Sequence, residues 1–175
     1  MSAIQQLSEA SVASLFVSRW DKAVNDKVPD ELRNRLGIAI AAQTYQAYRE
    51  LLDSSRWHTI AAAGAHPQRL LWASTGSKDP KASDTLYIES LAAPFTINTM
   101  PEKTLHAFAE HGTLKAPMAA DGGDSDALLA RFAAAGIDVE RLARQLQRDG
   151  AVAFVDSWRK LMQRLNVKRA ALADI

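Results

Sequence analysis

The chain has 175 residues, 47% hydrophobic and 23% charged, which fits one globular domain with a sizeable core. Its net charge of +1 creates no field that would favour nucleic acid or a membrane surface as partner. It has no cysteine, which excludes a disulfide scaffold and thiolate metal sites.

In chain order, the lead-in Met1-Ser2-Ala3-Ile4-Gln5-Gln6-Leu7 lacks the basic start and long apolar stretch of a signal peptide. No apolar run reaches the roughly 18 residues of a membrane span, so a cytoplasmic protein is expected. Val12 to Val17 is apolar at nearly every position, the pattern of a strand buried on both faces. A helix is predicted after Pro29, with Asp30 and Glu31 in its first turn and Ile38, Ala41, Tyr45, Tyr48 and Leu52 on one apolar face. A second helical piece runs from Ser55 through Ala63 to Gly64. Arg69 to Ala73 reads as a second strand, and Thr85 to Glu89 as a third. Strand, long helix, strand is a βαβ crossover, whose strands pair in parallel.

Thr99-Met100-Pro101-Glu102 has the spacing of a capping box, with Thr99 as N-cap of a helix that carries Leu105 and Phe108 and stops at Gly112. A loop spans Ala116 to Gly123. The rest is predicted helical in three pieces. Asp124 caps the first, with Leu128, Leu129 and Phe132, ending at Gly136. Asp138 caps the second, with Val139, Leu142 and Leu146, ending at Gly150. The last packs Val152, Val155, Trp158, Met162 and Leu165. Tyr45, Tyr48, Phe108, Phe132 and Trp158 are read as core. The expected organisation is a single domain, with βα units over 8–115 and a helical tail over 124–175.

The chemistry of the chain concentrates in Trp72-Ala73-Ser74-Thr75-Gly76-Ser77-Lys78. Hydroxyls, a flexible glycine and an ammonium follow a strand at the end where parallel α/β folds bind ligands. Hydroxyl and backbone N–H donors with a lysine suit a phosphate. The same residues also suit a plain solvated loop. The histidines at 58, 66, 106 and 111 have no metal-ligand spacing. The acidic cluster from Asp121 to Asp126 reads as a solvated loop and helix cap.

Three parallel strands make a poor sheet by themselves, because their edges need partners. A closed (β/α)8 barrel needs eight strands and roughly 250 residues. A chain that opens almost directly on a buried-type strand has the look of a part of a larger barrel.

Four segments resemble the C-terminal part of the transaldolases. They are Ser11 to Arg19 (SVASLFVSR), Pro67 to Pro80 (PQRLLWASTGSKDP), Ser83 to Glu89 (SDTLYIE) and Asn98 to Leu105 (NTMPEKTL). Gly136-Ile137-Asp138 and Trp158 are similar to the family's helical tail. The resemblance covers the chain from about residue 8, and is to the longer bacterial transaldolases, including those fused to a glucose-6-phosphate isomerase domain. It implies a fold of the α/β class, about three βα units of a (β/α)8 TIM barrel with a helical C-terminal tail. It implies sugar-phosphate substrates of the fructose 6-phosphate and sedoheptulose 7-phosphate class, and no metal or organic cofactor.

The same resemblance implies roles for particular residues. Arg19 matches the family's phosphate-binding arginine and Ser14 the serine before it. Ser74 matches a second serine at the end of the next barrel strand. The family then carries an arginine where this chain has Thr75, Gly76 and Ser77. Lys78 is the nearest cation and takes the phosphate role by position, as a point charge without arginine's bidentate fork. Thr75 is a further candidate for substrate binding. The family's Schiff-base lysine, in an Ile-Lys-Ile-Pro-like stretch, and its acid/base carboxylates come from earlier strands and have no match here. The chain would then be inactive without an N-terminal barrel half. Other readings stand beside these. Arg19 would be a barrel-rim ion-pair partner of Asp21 or another carboxylate, Ser14 would be a small core residue, and Lys78 would be the nucleophile of a minimal aldolase. The chain as a whole would be a non-catalytic sugar-phosphate-binding or assembly module.

Overall fold

The computed structural model describes residues 10–173, so the Met1–Leu7 lead-in lies outside the described residues. The chain divides into two compact units between Ile137 and Asp138. The first is built on a parallel sheet of β1 (Val12–Phe16), β2 (Arg69–Ala73) and β3 (Thr96–Asn98), in that spatial order. Ala13 pairs with Leu70, Leu15 with Trp72, and Trp72 with Asn98.

Parallel neighbours need a crossover. Between β1 and β2 it is made by α1 (Ser18–Val24), α2 (Leu36–Leu52) and α3 (Ser55–Ala62). Ala41, Tyr45 and Tyr48 of α2 are buried against Val17, Leu70, Trp72, Tyr87 and Leu91, with Ile38 and Leu52 packed at the margin. This is the apolar face expected from the sequence. The Trp72 indole N–H donates to the Leu91 carbonyl at 3.0 Å, so the largest core side chain is also satisfied. Pro29 does not open α2. It precedes a short 3-10 turn at Asp30–Leu32, and Asn34 then takes a left-handed φ of 58°. Asn25 holds it there, accepting from the Asn34 backbone N–H at 3.0 Å and donating to its side-chain oxygen at 2.7 Å. α3 has the expected bounds because Ser54 caps it, its Oγ accepting from Trp57 N at 3.1 Å.

The third strand differs from expectation. Thr85 to Glu89 is helical instead, with Thr85 just before α4 (Leu86–Ser90), and the strand is Thr96–Asn98. Local hydroxyls decide this. Ser83 Oγ accepts from Thr85 N at 3.2 Å, and Thr85 Oγ1 donates to Glu89 Oε1 at 2.8 Å, which favours a helical turn over an extended ladder. Thr99 is not an N-cap either. Its N–H and hydroxyl both donate to the Trp72 carbonyl, at 3.0 and 2.9 Å, extending the β2–β3 pairing. α5 (Glu102–His111) starts after Pro101 and buries Thr104 and Ala107, whereas Leu105 is exposed and Phe108 half-buried. α6 (Ser125–Ala134) packs on α2 through buried Leu128 and Phe132.

β1 is not buried on both faces. Ala13 and Leu15 pack into the core with Leu70 and Trp72, so alternation puts Val12, Ser14, Phe16, Leu71 and Ile97 on the opposite face. Val12 is 41% exposed there.

The second unit is one helix, α7 (Val139–Ala173), of 35 residues. It runs through Gly150, where the sequence suggested a break. A helical glycine costs only about 1 kcal/mol relative to alanine, too little to end a long helix. Val152, Val155, Trp158 and Leu165 are exposed, Trp158 at 62%, so they are not core as expected. No helix among the described residues is long and apolar enough to cross a membrane.

His111, at the end of α5, sits 2.9 Å from Asp84. That contact raises the His111 pKa above its ordinary 6.5 and lowers that of Asp84. A raised histidine contributes stability that is lost as pH climbs through its folded pKa. A lowered aspartate contributes stability that is lost as pH falls through its own. The tie therefore acts between the two values. An NMR titration of His111 is expected to show a midpoint above 6.5 that returns toward the ordinary value in Asp84→Asn.

Candidate functional site

The candidate site lies at the C-terminal ends of β1 and β2. Their pairing continues past both strands: Val17 N donates to Ala73 O at 2.9 Å, and Ser18 N to Ser74 O at 3.2 Å. This sets Ser18 beside Ser74, with the two Oγ atoms 2.9 Å apart. Ser74 turns there with a left-handed φ of 57°. A non-glycine residue in that region is strained, and such strain gathers at functional sites.

The loop after Ser74 is fastened from within. Thr75 is fully buried and its hydroxyl donates to the Thr99 carbonyl. Ser77 Oγ donates to Asp79 O at 3.1 Å. Gly76 allows close packing: a Cβ there would stand 3.3 Å from Pro101 Cγ and 3.9 Å from Lys78 Nζ. Lys78 is exposed and lines a cleft of about 260 Å³ together with Ser18, Lys22, Arg33, Asp79 and Tyr87. Arg33 pairs with Asp26 and Asp30, while neither Lys22 nor Lys78 is ion-paired among the described residues.

The floor of the cleft is a buried carboxylate. Asp21 of α1 accepts from the Tyr87 hydroxyl of α4 at 2.7 Å and from the Gly37 N–H of α2 at 3.1 Å. Burial pushes the Asp21 carboxyl up from its ordinary value, and these two donors pull it part of the way back. Burial beside Asp21 also pushes the Tyr87 hydroxyl up, so it stays protonated as a donor. Gly37 is required here, since a Cβ would lie 2.6 Å from the Val17 carbonyl and 2.8 Å from Asp21 Oδ2.

Of the expected residues, Ser74 and Lys78 lie on one loop bordering this cleft. Arg19 does not pair with Asp21. Its guanidinium is 4.4 Å from the centre of the Phe16 ring, a cation–π contact on the side of the open sheet face. Ser14 is exposed in mid-strand on that face, and so is not a buried core residue. Ser18, Asp21 and Tyr87 were missed. The only signal for Ser18 was its place beside Arg19. Asp21 and Tyr87 are 66 residues apart, a meeting that no local pattern reveals.

The family model described as Transaldolase/Fructose-6-phosphate aldolase matches residues 1–165. The chain belongs to this family. A transaldolase of Neisseria meningitidis is 44% identical over 151 residues, covering 86% of this chain and 43% of the relative. A transaldolase of Parafrankia is 41% identical over 173 residues, covering 94% and 47%. A transaldolase of Thermobifida fusca is 43% identical over 171 residues, covering 92% and 46%. The chain thus spans about half the length of the curated relatives it matches. Within this transaldolase-family chain, Asp21 ties α1, which carries Ser18 and Arg19, to α2 and α4.

Tyr87→Phe leaves the buried Asp21 carboxylate short of a donor and is expected to cost about 1–3 kcal/mol of unfolding free energy near neutral pH. A folded aspartate pKa above its unfolded value gives stability that is lost as pH rises through the folded value. Removing the Tyr87 donor raises that pKa further. The deficit in a thermal melt should therefore shrink on acidification.

Proposed function

We propose that this chain is the C-terminal part of a transaldolase (β/α)8 barrel and supplies the phosphate-binding end of its active site. The parent reaction transfers a dihydroxyacetone unit between sugar phosphates in the cytoplasm. A neutral lysine attacks the ketose carbonyl and water leaves to give an iminium; C–C cleavage releases an aldose, the lysine-bound three-carbon unit adds to the aldehyde of an aldose phosphate, and hydrolysis frees the lysine. That lysine and the acid/base carboxylates belong to strands outside this chain. Residues 1–175 form part of one barrel domain in this reading.

The observation that carries it is the hydroxyl contact between Ser18 and Ser74 beneath a left-handed Ser74, on adjacent parallel strand ends of a chain in this family. In such folds the C-terminal strand ends bind ligand. Ser74 and Lys78 hold the phosphate, and Arg19 adds charge from the start of α1, just past β1. Thr75 supports the loop through Thr99. Ser14, exposed on the open face, meets the carbon chain of the sugar.

The open face supports an incomplete barrel over a self-sufficient binding module. Parallel sheets are ordinarily covered on both faces. Here Val12 and Ser14 of β1 are exposed, and β1 and β3 have one paired edge each among the described residues.

The test mixes this chain with the N-terminal half of the Neisseria meningitidis transaldolase. Borohydride with fructose 6-phosphate is expected to trap an adduct on a lysine of the added half, and three-carbon transfer to appear only in the mixture. An adduct on Lys78 of the chain alone would overturn the proposal.

A further inference from the structure

We propose that Ser18 and Ser74 act as a single phosphate-binding unit, in which Ser18 aims the Ser74 hydroxyl and Lys78 supplies the charge. The inference rests on the phosphate-binding reading above and adds to it a residue and a division of labour.

A serine hydroxyl has one proton to donate and two lone pairs. At 2.9 Å the two hydroxyls share one hydrogen bond, with one as donor and the other as acceptor. The acceptor keeps its own proton. Among the described residues neither hydroxyl has a further partner, so one O–H remains for a ligand in the cleft that Ser18 lines. Ser18 is only 2% exposed and so has little freedom to turn away. Alanine would fill such a place with no hydroxyl to desolvate, so the hydroxyl is better explained by what it holds.

The other hydroxyls of the loop are committed. Thr75 donates to the Thr99 carbonyl and Ser77 to the Asp79 carbonyl. They fasten the turn and have no proton left for a ligand. The arginine that the family carries after its serine is thus not replaced by Thr75 or Ser77. Ser18 replaces its geometry and Lys78 its charge.

The acidic side chains of the cleft are already engaged. Asp21 takes Tyr87 and Gly37, Asp26 takes Arg33, and Asp79 takes the Asn34 side-chain amide at 2.8 Å and the Lys81 N–H at 2.9 Å. Lys22 and Lys78 remain as its two unpaired cations among the described residues.

The test is titration of inorganic phosphate into this chain, followed by calorimetry, with circular dichroism to check folding. The variants are Ser18→Ala, Ser74→Ala, their double variant, and Ser77→Ala. A hydrogen bond to a charged group is worth about 1.5–3 kcal/mol, so Ser74→Ala should weaken binding roughly 10- to 100-fold. Ser18→Ala should weaken it at least about fivefold. The double variant should bind no worse than Ser74→Ala, because the two act through one outward proton. Ser77→Ala should bind as the parent chain does. If Ser18→Ala does not fold, Ser18→Cys carries the same expectation, since a thiol is a weak donor of similar size.

Loss with Ser74→Ala but none with Ser18→Ala would overturn the pair and leave the phosphate reading standing. Strictly additive losses would also overturn the pair. No binding of phosphate by the parent chain would overturn both.

Discussion

Parallel pairing of β1 and β2 runs past the ends of both strands, and the rest of the site depends on it. The Val17–Ala73 and Ser18–Ser74 backbone hydrogen bonds bring two chain segments side by side at the moment both leave the sheet. One enters α1 and the other enters a loop. Ser74 makes that exit in a left-handed conformation, and its hydroxyl comes to rest on Ser18. The core secures the same two segments from below, with Val17 and Trp72 both fully buried in the cluster around Tyr45.

A second constraint acts on the helices. Asp21 draws α1, α2 and α4 together through one carboxylate, and Gly37 lets α2 approach closely enough to donate its backbone N–H. A buried charge is costly unless donors surround it, so the three helices are joined by a group that none of them satisfies alone. The residues that border the cleft are consequently carried on elements whose mutual positions are fixed from underneath. A binding site benefits from such support, because a hydroxyl aimed in advance loses little freedom when it meets its ligand.

The sheet of the first unit is packed unequally on its two faces. One face of β1 and β2 is packed with α2, and the other carries Val12, Ser14, Phe16 and Leu71, with no second helical layer among the described residues of the first unit. In the proposed barrel that face turns inward. Ser14 is then an interior polar residue near the substrate, and the exposure of Val12 is relieved. α7 by itself leaves Val152, Val155, Trp158 and Leu165 exposed.

Much was legible in the residues themselves. The face of α2 followed from spacing alone, since Ala41, Tyr45 and Tyr48 had to share one side of a helix. The parallel pairing of the first two strands followed from the long helical segment between them. Four segments identified the family, and the hydroxyl-rich stretch after Ala73 does follow the end of a strand, as its composition suggested. Other features were decided only in three dimensions. Thr85 to Glu89 has strand-like composition, yet Ser83 and Thr85 hydroxyls close a helical turn there. Thr99 has the spacing of a cap, yet the nearby Trp72 carbonyl takes its proton instead. Gly150 has the look of a stop, yet the cost of one glycine is spread over a 35-residue helix. Ser18 was marked only by its place beside Arg19, and nothing local tied Asp21 to Tyr87. The sequence by itself determined which residues carry an apolar face and which carry chemistry, because those properties belong to side chains and their spacing. The tertiary structure alone decided which polar groups meet, because a hydrogen bond such as that between Asp21 and Tyr87 depends on where distant segments are brought together.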